Sequence, residues 1–530
     1  MEISISHTTA MIEPGARRYV AAALIVVVAF LCVSFNGGIS IGDSNHAGLL
    51  PVVRRILDPN YLPGDFNIEL RLYHHRVFAY LIAGLSMILG EMNAVILLHI
   101  CGALLLAFAL WHLCETLGLT LPAYLTAGVF LATGFLWTGL GLEENDFVGN
   151  AEIQPPLFAH SFILLLTAFL MRARWRAAAF FAGLATLFHL QIGATCALMI
   201  APLYVMRLRQ FGVKEILRLA ALFLVPALPA LIHLSGMLGR GLLRSGASEY
   251  SLPFYIDFRH PHHFALMSTA HLLWVSGHVV MVLVTWLWLR NMRRDEAPRL
   301  FVLVVMSLAL VVLSAIHFAD YYLLRQDKIA NIQMIRLSPL LTVFGTLSVL
   351  LVLHVWLNAW QWGEVAPLSL LLIFATAWGV HTARDPESPF HLGLRPYARY
   401  DHAWVRMCNW IATNGPRDTA YVTPPGFDGF TYLTHRSCVA EFKINPDGGL
   451  HMAEWFERLR DLGGGKLPNE KGLKNRKPLN VALGKLSADQ LIAASRKYHA
   501  GYAVLPQAST VPFEVLHDTG SLKLVRIPAP

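Results

Sequence analysis

The sequence predicts a mainly α-helical protein: a polytopic bundle of membrane-spanning helices followed by a C-terminal α/β domain. Three observations carry this. Hydrophobic residues make up 55% of the chain and charged residues only 14%, whereas about a quarter of a soluble chain is charged. The apolar residues fall in long blocks, such as Val20–Phe35, Ala94–Leu110, Phe301–Ile316 and Leu337–Leu353, and about 20 such residues cross a hydrocarbon core of about 30 Å. Arginines gather in short stretches between the blocks, at Arg17-Arg18, Arg172 to Arg176, Arg207 to Arg218 and Arg290 to Arg299. That is the positive-inside pattern, which puts those loops in the cytoplasm. The net charge of +8 is therefore topological, and nucleic acid is not an expected partner.

The elements follow in order from this topology. A first helix over about Tyr19–Ile41 lacks a small-residue cleavage site and reads as an uncleaved span. A long outer loop, 42–93, comes next. Its apolar piece Val77–Leu89 is short for a span and is assigned to a juxtamembrane helix, because a full crossing would put every later arginine loop on the wrong face. Helices over about Ala94–Leu113 and Tyr124–Leu140 lead to a second outer loop, and a fourth helix returns to Arg172. The stretch Ala177–Met206 starts and ends beside arginines but is too short for two full crossings. It reads as two short helices or a re-entrant hairpin with His189-Leu190-Gln191 near its tip. Irregular backbone at membrane depth needs protein or a wet cavity around it, so polar residues there carry information. Later helices flank outer loops at 239–263 and 320–336, and a last span over about Ala366–Val380 delivers the chain outside. The count is about eleven spans.

The membrane domain is thus expected to cover residues 1–382, and an extracytoplasmic α/β domain residues 383–530. Helices are expected over Ala403–Ala412, Met452–Leu462 and Ala488–Tyr498, with strands over Thr419–Val422 and Tyr502–Leu505. Phe513–His517 and Leu522–Ile527 should pair around Asp518-Thr519-Gly520-Ser521 as a hairpin. Gly463–Lys477, rich in Gly and Lys, reads as a mobile loop. Cys408 and Cys438 could form a disulfide in an exported domain or remain two thiols.

The outer loops hold the candidate chemistry. Asp43 and His46 follow the first helix, and His74-His75-Arg76 lie later in the same loop. Glu143, Glu144 and Asp146 cluster in the second loop, beside Glu152. Arg259, His262 and His263 stand in a third, and Arg325 and Arg336 flank the last. His189 and Gln191 mark the helix break. Each has a plainer reading: carboxylates at helix exits are commonly solvated, embedded histidines such as His99 and His354 commonly bond across helices, and adjacent histidines rarely share one ion. No metal ligand set is assigned. No P-loop, dinucleotide fingerprint, zinc-protease helix or nucleophile elbow is present.

An acidic residue after helix one, a long first outer loop with surface helices and an acidic cluster after helix three resemble the GT-C superfamily of membrane glycosyltransferases. The strings Leu57-Asp58-Pro59-Asn60-Tyr61-Leu62-Pro63-Gly64-Asp65, Gly183 to His189, Arg259-His260-Pro261-His262-His263, and Arg436 with Glu441-Phe442-Lys443 resemble a bacterial multi-pass membrane family of unassigned function. The GT-C resemblance implies a polyprenyl-phosphate-linked sugar as donor, membrane lipid around it and an acceptor outside the cytoplasm; the exported C-terminal domain of the topology fits a bacterial inner membrane with that domain periplasmic, and in another organism a different lumen. It implies Asp43 as base, with Glu143, Glu144 or Asp146 as a second acid that orients the acceptor or holds Mg or Mn through oxygen ligands. Arg259, His262, His263 and Arg336 would meet the phosphate. The first loop shows Asp43 followed by Asn45-His46, not a paired-acid motif. A transporter or lipid-carrier binding protein without chemistry is the alternative, suggested by the break at His189.

Overall fold

The computed structural model describes residues 14–72, 75–133, 141–142, 151–239, 251–358, 390–397, 399–446 and 451–528, with single positions at 369, 373 and 377. Apart from those three positions the expected last span lies outside the described residues, as do the candidates His74, Glu143, Glu144 and Asp146. The chain is an integral membrane protein. Seven of its described helices are long and apolar enough to cross a membrane, and four shorter apolar helices accompany them.

Helix α1 (Pro14–Phe35) ends earlier than its apolar run suggested. Gly37 and Gly38 adopt φ of +95° and +77°, which glycine reaches without a Cβ clash. Residues Ile39–Ile41 then form a strand, β1. The loop beyond it carries α2 (His46–Leu57), α3 (Phe66–Arg71) and α4 (Arg76–Leu89). α4 is one of the four shorter apolar helices. His75 at its start packs on His189, with ring centroids 5.0 Å apart, and Glu91 just past its end pairs with Arg54 of α2 at 2.8 Å. Both ends thus lie at one end of the bundle.

Helices α5 (Glu91–Thr116), α6 (Leu121–Thr133) and α7 (Pro155–Met171) follow. Arg172 beyond α7 pairs with Glu115 of α5 at 3.1 Å, and Arg299 donates to the Thr116 carbonyl at 2.9 Å. The arginine-rich turns therefore meet at one end, opposite β1. The expected helical hairpin is present as α8 (Trp175–Phe188) and α9 (Leu190–Arg207), with His189 extended at φ −147° between them. Fourteen residues of α8 rise only about 21 Å, whereas α9 with the turn after it, Leu190–Gln210, is one of the seven helices long enough to cross. Helices α10 (Val213–Gly239), α12 (Thr269–Asn291), α13 (Ala297–Phe318) and α14 (Pro339–Asn358) complete the described bundle, and a short α11 (Leu252–Arg259) lies between α10 and α12.

The C-terminal region attaches directly to the end of the bundle that carries β1. Strand β2 (Leu394–Pro396) pairs in parallel with β1. Helix α15 (His402–Asn414), strand β3 (Ala420–Val422), helix α16 (Phe430–Thr434), helices α17 (Met452–Leu462), α18 (Arg476–Leu483) and α19 (Ala488–Tyr498), and strands β4 (Ala500–Pro506), β5 (Glu514–Asp518) and β6 (Leu522–Arg526) follow. The sheet order is β3-β4-β6-β5; β3 and β4 are parallel, and the β5–β6 hairpin turns where expected. α19 opens with a reciprocal capping box between Ser487 and Gln490, which satisfies two free amide donors at once. Trp455 and Phe456 of α17 are fully buried. Ring contacts join Trp455 to Tyr255 and Phe258 of α11, so one aromatic core spans the bundle loop and the sheet region.

One expectation changes, and one open alternative is decided. Gly463–Lys477 is not a mobile loop. Asn475 within it is buried and donates to the Phe258 carbonyl at 2.9 Å, and a Cβ on Gly472 would stand 2.9 Å from Pro261. Gly472 is there for close approach, while Gly464 and Gly465 take φ of +71° and +92°. Cys408 and Cys438 are both buried free thiols.

Candidate functional site

The site is built where β1 leaves the first helix. Gly42 takes φ +86° and turns the chain so that Asp43 is 0% exposed. The Ser40 hydroxyl donates to the Asp43 carboxylate, and the Arg399 amide donates to its other oxygen at 3.4 Å. Two further contacts clamp the segment before α7 against this turn: Ser40 N–H to the Ala151 carbonyl at 2.7 Å, and His46 Nε2 to the Ile153 carbonyl at 3.1 Å. Burial lowers the His46 pKa to about 4, so the ring is neutral and Nε2 carries the donated proton.

The clamp fixes Glu152, also 0% exposed. The Asn45 amide donates to one carboxylate oxygen at 3.3 Å, and Arg399 Nη1 meets the other at 3.2 Å. One residue, Arg399, therefore touches both acids. Its side chain is 53% exposed while Glu152 is closed off, so the guanidinium stands between Glu152 and open space. Burial pushes the Glu152 pKa up against the pull of Arg399 and Lys443, and the nearby Asp43 pushes it further up. Two carboxylates in one buried place disfavour double ionisation.

Across from the acids lies a cationic cluster. Lys443 lies deep in the protein yet keeps accessible surface, as does a residue lining internal space. Burial and then Arg259 push its pKa down, while Asp428 and Glu152 hold it up. The His262 and His263 rings lie tilted against each other with centroids 4.2 Å apart. Burial, Arg259, Lys443 and Arg336 lower His262 to about 3; burial, Arg336 and His262 hold His263 well below the ordinary value. Arg336 Nη1 lies 3.1 Å from His189 Nε2. Thus His75, His189, Arg336, His262 and His263 form one chain of neighbours.

Other candidates are placed elsewhere. Arg259 is buried, with Nε and Nη2 given to the Phe442 and Lys443 carbonyls at 3.0 and 3.2 Å, so it fastens the C-terminal region while adding charge. Gln191 donates to the Asn331 carbonyl at 3.0 Å. Arg325 pairs with Asp257 at 3.0 Å, and Lys471 joins the same carboxylate at 3.2 Å; no described contact brings Arg325 to the acids.

His260, His262 and His263 can bring ligand nitrogens within 4.8 Å of one another. Nitrogen donors do not suit Mg or Mn, and Arg259, Arg336 and Lys443 repel a cation at that place. The same three cations favour an anion. For oxygen ligation the pair is Asp43 and Glu152, and there Arg399 already fills the cation's place.

Sequence reasoning set Glu152 beside the acidic cluster but did not choose it. The available signal was position: Glu152 lies two residues before Gln154-Pro155-Pro156, and proline at the first helical positions marks a rigid start. Lys443 and Arg399 carried no local signal, because their role arises only when the C-terminal region folds back on the bundle.

A domain family described as "Domain of unknown function (DUF6798)" matches residues 402–462. No curated protein matches. Among solved structures, ArnT from Cupriavidus metallidurans in the apo state is similar at 12% identity, over 96% of this chain and 97% of that one, with a TM-score of 0.41.

Proposed function

We propose that the protein is a membrane glycosyltransferase that moves a sugar from a polyprenyl-phosphate donor to an acceptor on the face carrying the C-terminal region. The observation that supports this most is the pairing of two fully buried carboxylates, Asp43 and Glu152, through Arg399, with a cationic cluster nearby that is unsuited to Mg or Mn. The lipid donor stays in the bilayer, so its phosphate meets the protein at the end of the bundle. The acceptor oxygen forms a bond to the anomeric carbon while the bond from that carbon to the phosphate oxygen breaks. The phosphate leaves with the electron pair, and the acceptor's hydroxyl proton passes to the ionised carboxylate. Arg336 and Lys443, with His262 and His263 as neutral donors, stabilise the growing phosphate charge. The ionised carboxylate acts as general base, and Glu152, with its raised pKa, holds the proton the pair retains. Acceptor access goes with displacement of Arg399.

In this reading the face is periplasmic, in a bacterial inner membrane. The reading is tested by donor turnover in reconstituted membranes: Asp43→Asn abolishes transfer while donor binding persists. A second reading, lipid-carrier binding without chemistry, draws on the broken helix at His189 and its contact with Arg336. In that case Asp43→Asn leaves function intact.

A further inference from the structure

A second concavity lies in the C-terminal region, with a volume of about 720 Å³, within the size of small-molecule sites, about 300–1,000 Å³. It opens beyond the carboxyl ends of the parallel strands β3 and β4, the usual crevice for ligands in such sheets. Gly426, Phe427 and Asp428 follow β3 on one side; Pro506 and Ser509 follow β4 on the other. Arg476, Lys477 and Asn480 of α18 form the floor, with Lys485 just beyond.

The walls are firmly built. Arg476 donates to the Gly426 carbonyl at 2.7 Å and to Asp428 Oδ2 at 2.8 Å. Asn480 Oδ1 accepts the Gly426 amide at 2.6 Å, and a Cβ on Gly426 would collide with the Arg476 carbonyl. The charges are not balanced within this frame. Asp428 is matched to Arg476, and Asp401 is spent on capping α15. Lys477 and Lys485 are exposed, and among the described residues their side chains have no ion pair or hydrogen bond. Asp428 is 6% exposed, and its Oδ1 is buried without a partner. A buried carboxylate oxygen left unbonded is destabilising, so this atom points to a hydroxyl donor supplied by a ligand.

We propose that this cleft binds an anionic saccharide, a sugar bearing a phosphate or a carboxylate. Lys477 and Lys485 take the anion, Asp428 Oδ1 accepts a sugar hydroxyl, and Phe427, Val481 and Pro506 cover the apolar face. Arg399 and Tyr400 line the same cleft. Arg399 also holds Glu152, and the Tyr400 hydroxyl donates to the Gly42 carbonyl at 2.6 Å, one residue from Asp43. The cleft therefore leads to the carboxylate pair, and its ligand is the acceptor of the transfer. That last assignment rests on the function proposed above; the binding itself does not.

The test is equilibrium binding to the full chain in lipid nanodiscs, with glucose 6-phosphate, glucuronate, glucose and inorganic phosphate as probes. At least one anionic sugar binds saturably, about tenfold or more tighter than glucose and inorganic phosphate, a margin of about 1.4 kcal/mol. The two anionic probes separate a phosphate from a carboxylate requirement. Lys477→Glu with Lys485→Glu weakens that binding about tenfold or more, and both side chains are free, so the variant folds. Asp428→Asn lowers affinity for the sugars and leaves inorganic phosphate unchanged. Absence of saturable binding by either anionic sugar, equal binding by inorganic phosphate, or indifference to the lysine pair overturns the proposal. Asp43→Asn binds the probe as wild type does, so a failure of binding and a failure of transfer are separate results.

Discussion

Replacing Glu441 with Gln removes a pH dependence built into the joint between the bundle and the C-terminal region. Glu441 is 1% exposed. Its carboxylate accepts the Gly429 amide at 2.7 Å and the Thr431 amide at 3.3 Å, and its own amide donates to Asn67 of α3 at 3.2 Å. Burial, with Asp428 adding, raises its pKa from 4.5 to about 8 despite those amide bonds. The folded value is above the unfolded one, so folding is favoured most below pH 4.5, where both states hold the proton. Stability then falls as pH rises and levels off above about 8. At about 1.4 kcal/mol per unit, the whole fall is about 3–5 kcal/mol. Between pH 5.5 and 7.5 the change is about 2–3 kcal/mol, or about 5–10 °C in Tm for a region of this size. Gln is neutral throughout. It faces the Thr431 amide with its own donor, which costs about 1–3 kcal/mol at low pH. The variant is therefore less stable at pH 5.5 and gains on wild type as pH rises. Thermal unfolding followed by tryptophan fluorescence is the assay, with Trp455 reporting directly because its indole donates to the Glu441 carbonyl at 3.3 Å. Parallel Tm curves for the two proteins from pH 5.5 to 8.5 would refute the reasoning.

Gly42→Ala places a Cβ 2.4 Å from the Tyr432 ring at a φ of +86°, where a left-handed L-residue alone costs about 1–2 kcal/mol. Both Tm and complementing activity fall, and near-normal values of either contradict the close approach. Trp455→Ala empties a fully buried site shared by Tyr255, Phe258 and Phe442, and costs about 3–5 kcal/mol in chemical unfolding. Cys408 and Cys438, both buried thiols, resist a thiol reagent in the folded protein and react after unfolding without a reductant; a requirement for reductant would mean a disulfide.

The sequence made the membrane class legible because long apolar blocks and arginine-rich turns are strong, local signals. The parity argument placed α4 at one end of the bundle, and the flanking arginines required the break at His189. In the C-terminal region the helices and the β5–β6 hairpin were readable from periodicity and turn residues. The candidate site was legible only in part. Asp43, His46, His189, Arg336, His262 and His263 stand near the acids or in the facing cluster, since polar groups at helix exits are few. Glu152 was overshadowed by the denser acids at 143–146. Arg399, Lys443 and Asp428 act through long-range packing of residues more than two hundred positions from Asp43, and no spacing in the chain encodes that. Gly463–Lys477 was misjudged because glycine serves both flexibility and close approach, and only the neighbours at Pro261 and Phe258 distinguish them.

The most direct test of the transferase reading uses a strain deleted for this chain and complemented with wild type, Asp43→Asn or Glu152→Gln at matched expression. Mass spectrometry of its envelope glycans and polyprenyl-phosphate sugars is the readout. The account predicts a glycan lost on deletion, restored by wild type and by neither variant, with the unused lipid-linked sugar accumulating. Loss of a general base lowers turnover about 10²–10⁴-fold, enough to leave that glycan below detection. Full rescue by both variants, or an unchanged glycan profile in the deletion, would contradict it.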